Sequence, residues 1–197
     1  MPSWQSRLVT LILRRTAKRG ALEGRFARTR AATRRFEPFL ARPRRGILVT
    51  KAEGAPLPCE WVEPAGPRAQ RILLYLHGGA YLFCSPRTHR SITAYLAQAI
   101  PARVLVPDYR LAPEHPFPAA LDDALACLRW LHKETGSAAR IGIAGDSAGG
   151  GLALAAMVAL RDAHEPLPTG AALMAPWTDL AATGKSVHAN SASDAWF

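Results

Sequence analysis

Ser147 stands in the run Gly145-Asp146-Ser147-Ala148-Gly149, a G-x-S-x-G pattern. An apolar, strand-like stretch (Ala139–Gly145) precedes it, and a small-residue, helix-like stretch begins at Ser147. A nucleophile elbow requires that context. The turn is so tight that the serine is forced into a strained backbone conformation, and small residues two before and two after it prevent clashes. The hydroxyl then sits at a helix N-terminus, where the dipole and free N–H groups favour developing negative charge. The chemistry on offer is nucleophilic attack on a carbonyl carbon. Taken alone, the pattern also fits a glycine-rich helix start N-capped by a serine.

A second glycine-rich stretch lies upstream. In Leu73–His89 an apolar run ends at His77-Gly78-Gly79-Ala80-Tyr81. Acyl transfer by a serine needs backbone N–H donors aimed at the tetrahedral oxyanion, and glycines after a strand let the main chain approach the substrate. The expected donors are the N–H groups of Gly78, Gly79 and Ala148. His77 invites a role as general base, but the preferred reading is that its ring braces the turn away from Ser147. Asp146 is expected to make a similar structural contact. Asp108, Arg110, Glu114 and Asp123 could form an acid/base set; the preferred reading is a network pinning the loop that borders the pocket.

These residues need a framework to position them. Arg71–His77, Ala102–Tyr109, Ala139–Gly145 and Gly170–Trp177 read as strands, the first a continuous apolar run suited to burial on both faces. Helical stretches, Thr88–Gln98, Pro118–Glu134 and Ser147–Arg161, separate them. Such alternation implies an α/β fold with a mostly parallel sheet and helices on both faces. Ile47–Lys51 and Cys59–Glu63 read as two further strands around the Gly54–Pro58 turn, and residues 3–19 and 21–35 as two basic amphipathic helices.

The chain has 197 residues and is 49% hydrophobic, which suits a globular domain with a sizeable core. Its net charge of +10 is concentrated at one end. Residues 1–45 hold 13 Lys and Arg against two Glu, whereas residues 46–197 hold 12 against 13 acids. An Arg-rich solvated helix face is the preferred reading of that segment. Nucleic-acid binding is not expected, and contact with an anionic membrane surface or a transit-peptide role rests on charge alone. The stripe Trp4, Leu8, Leu11 and Ile12 is expected to pack as a helix face. Cys59, Cys84 and Cys127 are odd in number and form no CxxC, so neither a disulfide framework nor a zinc site is expected, and the localisation reads as cytoplasmic. His89, His115, His132, His164 and His188 show no metal-ligand spacing, and no cofactor is expected.

The motifs together resemble the hormone-sensitive-lipase family, the GDXG lipolytic enzymes of α/β-hydrolase fold-3. His77–Tyr81 is similar to that family's H-G-G-G-[FY] block, with Ala80 in place of the third glycine. Gly145–Gly150 matches the nucleophile block, Asp108–Leu125 the segment between the two, and Pro176–Leu180 resembles the stretch after the next strand. The resemblance implies an α/β-hydrolase fold and a serine carboxylesterase or lipase-like hydrolase acting on small or medium acyl esters. It also implies a division into a basic helical cap segment (1–45) and the N-terminal portion of the hydrolase domain (46–197). An α/β-hydrolase triad runs Ser, then acid, then His. The resemblance places the last two on loops after two further strands. Asp179 and His188 come too early, and Asp194 matches a cap position. The expectation is therefore a chain truncated at its C-terminus and lacking the triad acid and histidine. The alternative is a non-catalytic module of this fold that binds a small ligand.

Overall fold

The computed structural model describes residues 44–136 and 140–190, with Ser3, Trp4, Arg7, Leu11, Arg30, Arg35 and Glu37 from the preceding segment. Six strands form one sheet: β1 (Ile47–Lys51), β2 (Cys59–Pro64), β3 (Arg71–Leu76), β4 (Ala102–Pro107), β5 (Ile141–Asp146) and β6 (Ala171–Met174), in the order β1-β2-β4-β3-β5-β6. β1–β2 and β2–β4 pair antiparallel; β3–β4, β3–β5 and β5–β6 pair parallel. The mostly parallel sheet expected from the alternation is present. The β1–β2 hairpin adds the antiparallel edge, because a short turn can join only antiparallel neighbours.

Helices α1 (Arg90–Ala99), α2 (Ala119–Thr135), α3 (Ser147–Asp162) and α4 (Lys185–Asn190) complete the described elements. α1 begins later than its periodicity suggests. The Thr88 hydroxyl donates to the Ser85 carbonyl and accepts from the Ser85 N–H, so Pro86–His89 winds as a 3-10 turn first. α2 stops at Gly136, whose φ of 64° closes the helix with an N–H bond to the His132 carbonyl.

Both faces of the sheet are covered. Leu74 and Leu76 of β3 join Leu105, Ile141 and Ile143 under Leu128 and Leu131 of α2 and Leu152, Ala156 and Leu160 of α3. Leu73 and Tyr75 point the other way, with Val104, Val106 and Ala144, against Ala94 and Ala97 of α1. The period-2 alternation of a strand sends its apolar residues into two cores at once. This is why β3 reads as an unbroken hydrophobic run rather than an alternating one.

The chain divides into two compact units, residues 30–178 and residues 1–29 with 179–197. The first carries the sheet and α1–α3; the second carries α4. Trp4, Arg7 and Leu11 are helical, as their spacing predicts. The expected packing of that stripe needs correction: Trp4 is 71% exposed and Leu11 46%. Helical spacing identifies a face without saying whether anything covers it. Leu8 and Ile12 lie outside the described residues. No helix among the described residues is long and apolar enough to cross a membrane.

Candidate active site

β5 runs directly into α3, and Ser147 is the first residue of that helix. Its φ is +50° and it is exposed. A non-glycine residue held there costs about 1–3 kcal/mol and persists only where its surroundings over-determine it. Here the neighbours do so through backbone. A Cβ at Gly149 would collide with the Leu76 carbonyl oxygen and lie 2.5 Å from that of His77. One at Gly145 would lie 2.7 Å from the Leu76 oxygen. The end of β3 and the start of α3 therefore approach more closely than any side chain would permit. On the far side, the Trp177 N–H donates to the Ser147 carbonyl at 2.8 Å, and a Cβ at Gly151 would strike the Trp177 carbonyl.

The pairing of β3 with β5 sets Leu76 opposite Gly145 and brings the His77–Tyr81 turn beside the serine. Asp146 lies at the junction. Its Oδ1 accepts the Tyr75 hydroxyl at 2.8 Å and the Gly78 N–H at 3.0 Å, and faces His89 Nε2 at 3.4 Å. Burial works against its charge, but these donors outweigh it and hold its pKa at about 2. Asp146 thus ties the end of β3 and the Gly78 turn to the start of α3. One expected oxyanion donor is displaced by it: the Gly78 N–H is already bonded to the carboxylate. The next two amides, Gly79 and Ala80, have no hydrogen-bond partner among the described residues. Ala148 lies in the first turn of α3, where N–H groups have no intrahelical acceptor.

The turn itself is strained. Gly79 adopts φ 121°, Ala80 54°, Tyr81 61° and Cys84 74°, and the Leu82 and Phe83 N–H groups both bond to the Gly79 carbonyl. The His77 ring is fully buried and stacks on Tyr109 with centroids 4.3 Å apart. Its Nδ1–H donates to the Gly78 carbonyl at 2.7 Å, and the Tyr109 hydroxyl donates to the His77 carbonyl at 2.6 Å. Burial lowers the His77 pKa to about 4, with the Gly78 bond opposing that shift. Burial thus favours the neutral ring, and its Nε2 has no hydrogen-bond partner among the described residues. Among the described residues no imidazole is hydrogen-bonded to the Ser147 hydroxyl.

The acidic and basic residues at and before the start of α2 are tied in polar contacts. Asp123, 7% exposed, accepts the Arg110 backbone N–H at 2.8 Å and its guanidinium at 2.7 Å. Glu114 pairs with Arg30 at 2.7 Å, and the Asp108 N–H bonds the Pro58 carbonyl. Sequence reading missed Arg30 and Glu37. Arg30 Nε donates to the Leu82 carbonyl at 2.7 Å and Nη2 to that of Ala112, while the Ser85 hydroxyl donates to Glu37 at 2.6 Å. In a segment so rich in arginine, nothing local singles out Arg30. A cavity of about 540 Å3 opens beside these contacts, lined by Arg30, Glu37, Cys84, Ser85 and Asp108 among others. Ser147 is not part of its lining, so the position of the serine is set by the turn geometry and not by this cavity. No cluster of three or more His, Cys, Asp or Glu able to hold a metal occurs among the described residues.

Comparison with known proteins gives the same picture. Residues 73–197 match the family model described as the alpha/beta hydrolase fold. An acetyl-hydrolase of Streptomyces hygroscopicus is 51% identical over 127 residues, covering 64% of this chain and 42% of that protein. The carboxylesterase/phospholipase LipF of Mycobacterium tuberculosis is 34% identical over 203 residues, covering all of this chain and 54% of that protein. A crystal structure of EstE5 soaked with p-nitrophenyl butyrate superposes with a TM-score of 0.84 at 36% identity, over 98% of this chain and 65% of that one. An esterase from the bacterial hormone-sensitive lipase family superposes with a TM-score of 0.83 at 37% identity, over 100% and 66%. The chain thus spans about half the length of the curated relatives it matches. With its strand order, its serine turn and these matches in agreement, the chain belongs to the α/β-hydrolase fold family, on the hormone-sensitive-lipase branch.

Proposed function

We propose that this chain carries the nucleophile and oxyanion site of a serine carboxylic-ester hydrolase acting on small or medium acyl esters. The observation that carries the reading is Ser147 at φ +50°, exposed at a strand-to-helix turn. Ser147 Oγ attacks the ester carbonyl carbon. The carbonyl oxygen gains the negative charge and accepts from the N–H groups of Gly79, Ala80 and Ala148, at the positive end of α3. The proton of the Ser147 hydroxyl passes through the general base to the departing oxygen, the bond to that oxygen breaks, the alcohol leaves, and an acyl-serine remains for hydrolysis. The strain at Ser147 keeps the hydroxyl out of helical capping and in front of the substrate. His77 and Asp146 hold the two turns together and take no proton in this reaction. Residues 1–45 are assigned to a helical cap segment, and the unpaired thiols fit a reducing, cytoplasmic setting.

A serine without an adjacent base is a weak nucleophile. The base and its acid partner are therefore assigned to positions outside the described residues. Loss of the histidine from such a triad costs about 10⁶ in kcat, and about 10³–10⁴ over water survives from the oxyanion hole and binding. The purified 197-residue chain should turn over p-nitrophenyl butyrate barely above background. Free imidazole supplies the missing proton acceptor. It should produce a butyryl adduct on the peptide containing Ser147, seen by mass spectrometry, and the adduct should vanish in Ser147→Ala. A folded chain that acquires no adduct with or without imidazole would instead be a ligand-binding module.

A further inference from the structure

The Gly79–Ser85 turn has a feature that its own sequence does not account for. Three non-glycine residues, Ala80, Tyr81 and Cys84, hold positive φ, and Gly79 adds a fourth left-handed position. Strained backbone of this kind relaxes unless it is held from outside. Within it the Leu82 and Phe83 N–H groups share the Gly79 carbonyl, and at its end the Ser85 N–H reaches Thr88. Further ties come from far away in the chain. Arg30 is only 17% exposed at its side chain, and one guanidinium spans three anchors: the Leu82 carbonyl, the Ala112 carbonyl and the Glu114 carboxylate. The Ala112 N–H in turn donates to the Tyr81 carbonyl at 2.9 Å. Seven residues on, Glu37 accepts the Ser85 hydroxyl.

We infer that Arg30 is a positioning residue for ester hydrolysis: it fastens the Gly79–Ser85 turn to the Ala112–Glu114 segment and so aims the Gly79 and Ala80 amides at the oxyanion. The inference rests on the reading of Ser147 as nucleophile with those amides as donors. Guanidinium geometry suits the task. A planar fork presents its donors from three separate nitrogens and so reaches two carbonyls and a carboxylate that lie apart, whereas an ammonium group offers its three donors from a single point. Arg30 touches no reacting atom. Its contribution is to the transition state, because amides displaced by a fraction of an ångström still admit substrate but no longer meet the charge that develops during attack.

Two measurements on the full chain test this. Hydrogen exchange followed by mass spectrometry reads the 78–85 segment directly. In Arg30→Ala its exchange should accelerate about tenfold or more while β3 and α3 keep wild-type protection. The imidazole-assisted acylation of Ser147 by p-nitrophenyl butyrate supplies the second reading. The maximal rate should fall about tenfold or more, as for loss of an oxyanion donor, with the half-saturating ester concentration within about twofold of wild type. Arg30→Lys should restore part of both and serves as the test variant should Arg30→Ala fail to fold. Unchanged exchange in the 78–85 segment would overturn the proposal, as would acceleration spread equally over β3 and α3. A half-saturating concentration that rises with the rate constant unchanged would also overturn it, because that pattern belongs to a binding-surface residue. If the wild-type chain is never acylated, the nucleophile reading fails, and the exchange measurement still decides whether Arg30 holds the turn.

Discussion

The two turns that face one another across the site are both strained, but they are held by opposite means. The serine turn is held by contact of backbone with backbone: Gly149 against the Leu76 and His77 carbonyls, Gly145 against Leu76, Gly151 against Trp177. Its constraint is steric and is made with the end of β3 and the stretch that follows β6. The Gly79–Ser85 turn has, besides the Ala112 N–H on the Tyr81 carbonyl, two side chains as outer ties, Arg30 and Glu37, from positions some 50 residues away in sequence. A steric lock fails abruptly when one atom is added. A polar clasp weakens in steps as individual bonds are removed.

The largest effect should come from breaking the steric lock. Gly149→Ala places a methyl against two carbonyl oxygens that cannot move without parting β3 from α3. A loss of upwards of about 3 kcal/mol is expected, read as a lower urea midpoint at unchanged slope. A midpoint within error of wild type would show that the approach is looser than the structure has it.

The second test addresses His77, which joins the two turns: its carbonyl faces Gly149 and its ring leads into Gly78. Its folded pKa of about 4 lies below the unfolded value of 6.5, so between those limits the unfolded chain binds a proton that the folded one refuses. Stability is therefore complete above pH 6.5 and falls as the pH drops toward 4, by about 3 kcal/mol over the window. His77→Phe should lose stability at neutral pH but show a flatter profile through that window. A parallel decline in both proteins would place the acid sensitivity elsewhere.

The smallest effect concerns the polar clasp. Ala80→Gly relieves a left-handed alanine, a gain of about 1–3 kcal/mol, and gives the unfolded chain more freedom, a loss of about 0.4–1 kcal/mol. A net stabilisation near 1 kcal/mol in urea unfolding is expected. Clear destabilisation would mean that the Ala80 methyl makes contacts worth more than the strain.

The same contrast explains what could be read from the sequence. Steric locks are made of glycines at fixed offsets, so Ser147, its elbow and the strands leading into it were legible in a short window. The continuous apolar runs gave away β3, β4 and β5 because both of their faces are buried. The fate of the Gly78 amide was not legible, since it depends on Asp146 reaching across from β5, a matter of sheet register. Arg30 was illegible for a deeper reason: two of its three partners are backbone carbonyls, which every residue possesses, and 12 other basic residues share its segment. Exposure of Trp4 and Leu11 could not be told from spacing, which reports a face and not its cover.

Cys84 has a practical consequence. Of the three thiols, Cys59 and Cys127 are buried with their sulfurs 3.8 Å apart, whereas Cys84 is half-buried and lies within the strained turn. A maleimide or a fluorinated alkylating reagent applied to the native chain therefore finds its most open target at Cys84. Burial raises the Cys84 pKa, so the thiolate forms reluctantly and alkylation quickens as the medium becomes more alkaline. A fluorine label attached there would report by its NMR line shape whether the turn is in one conformation or several, without any substrate.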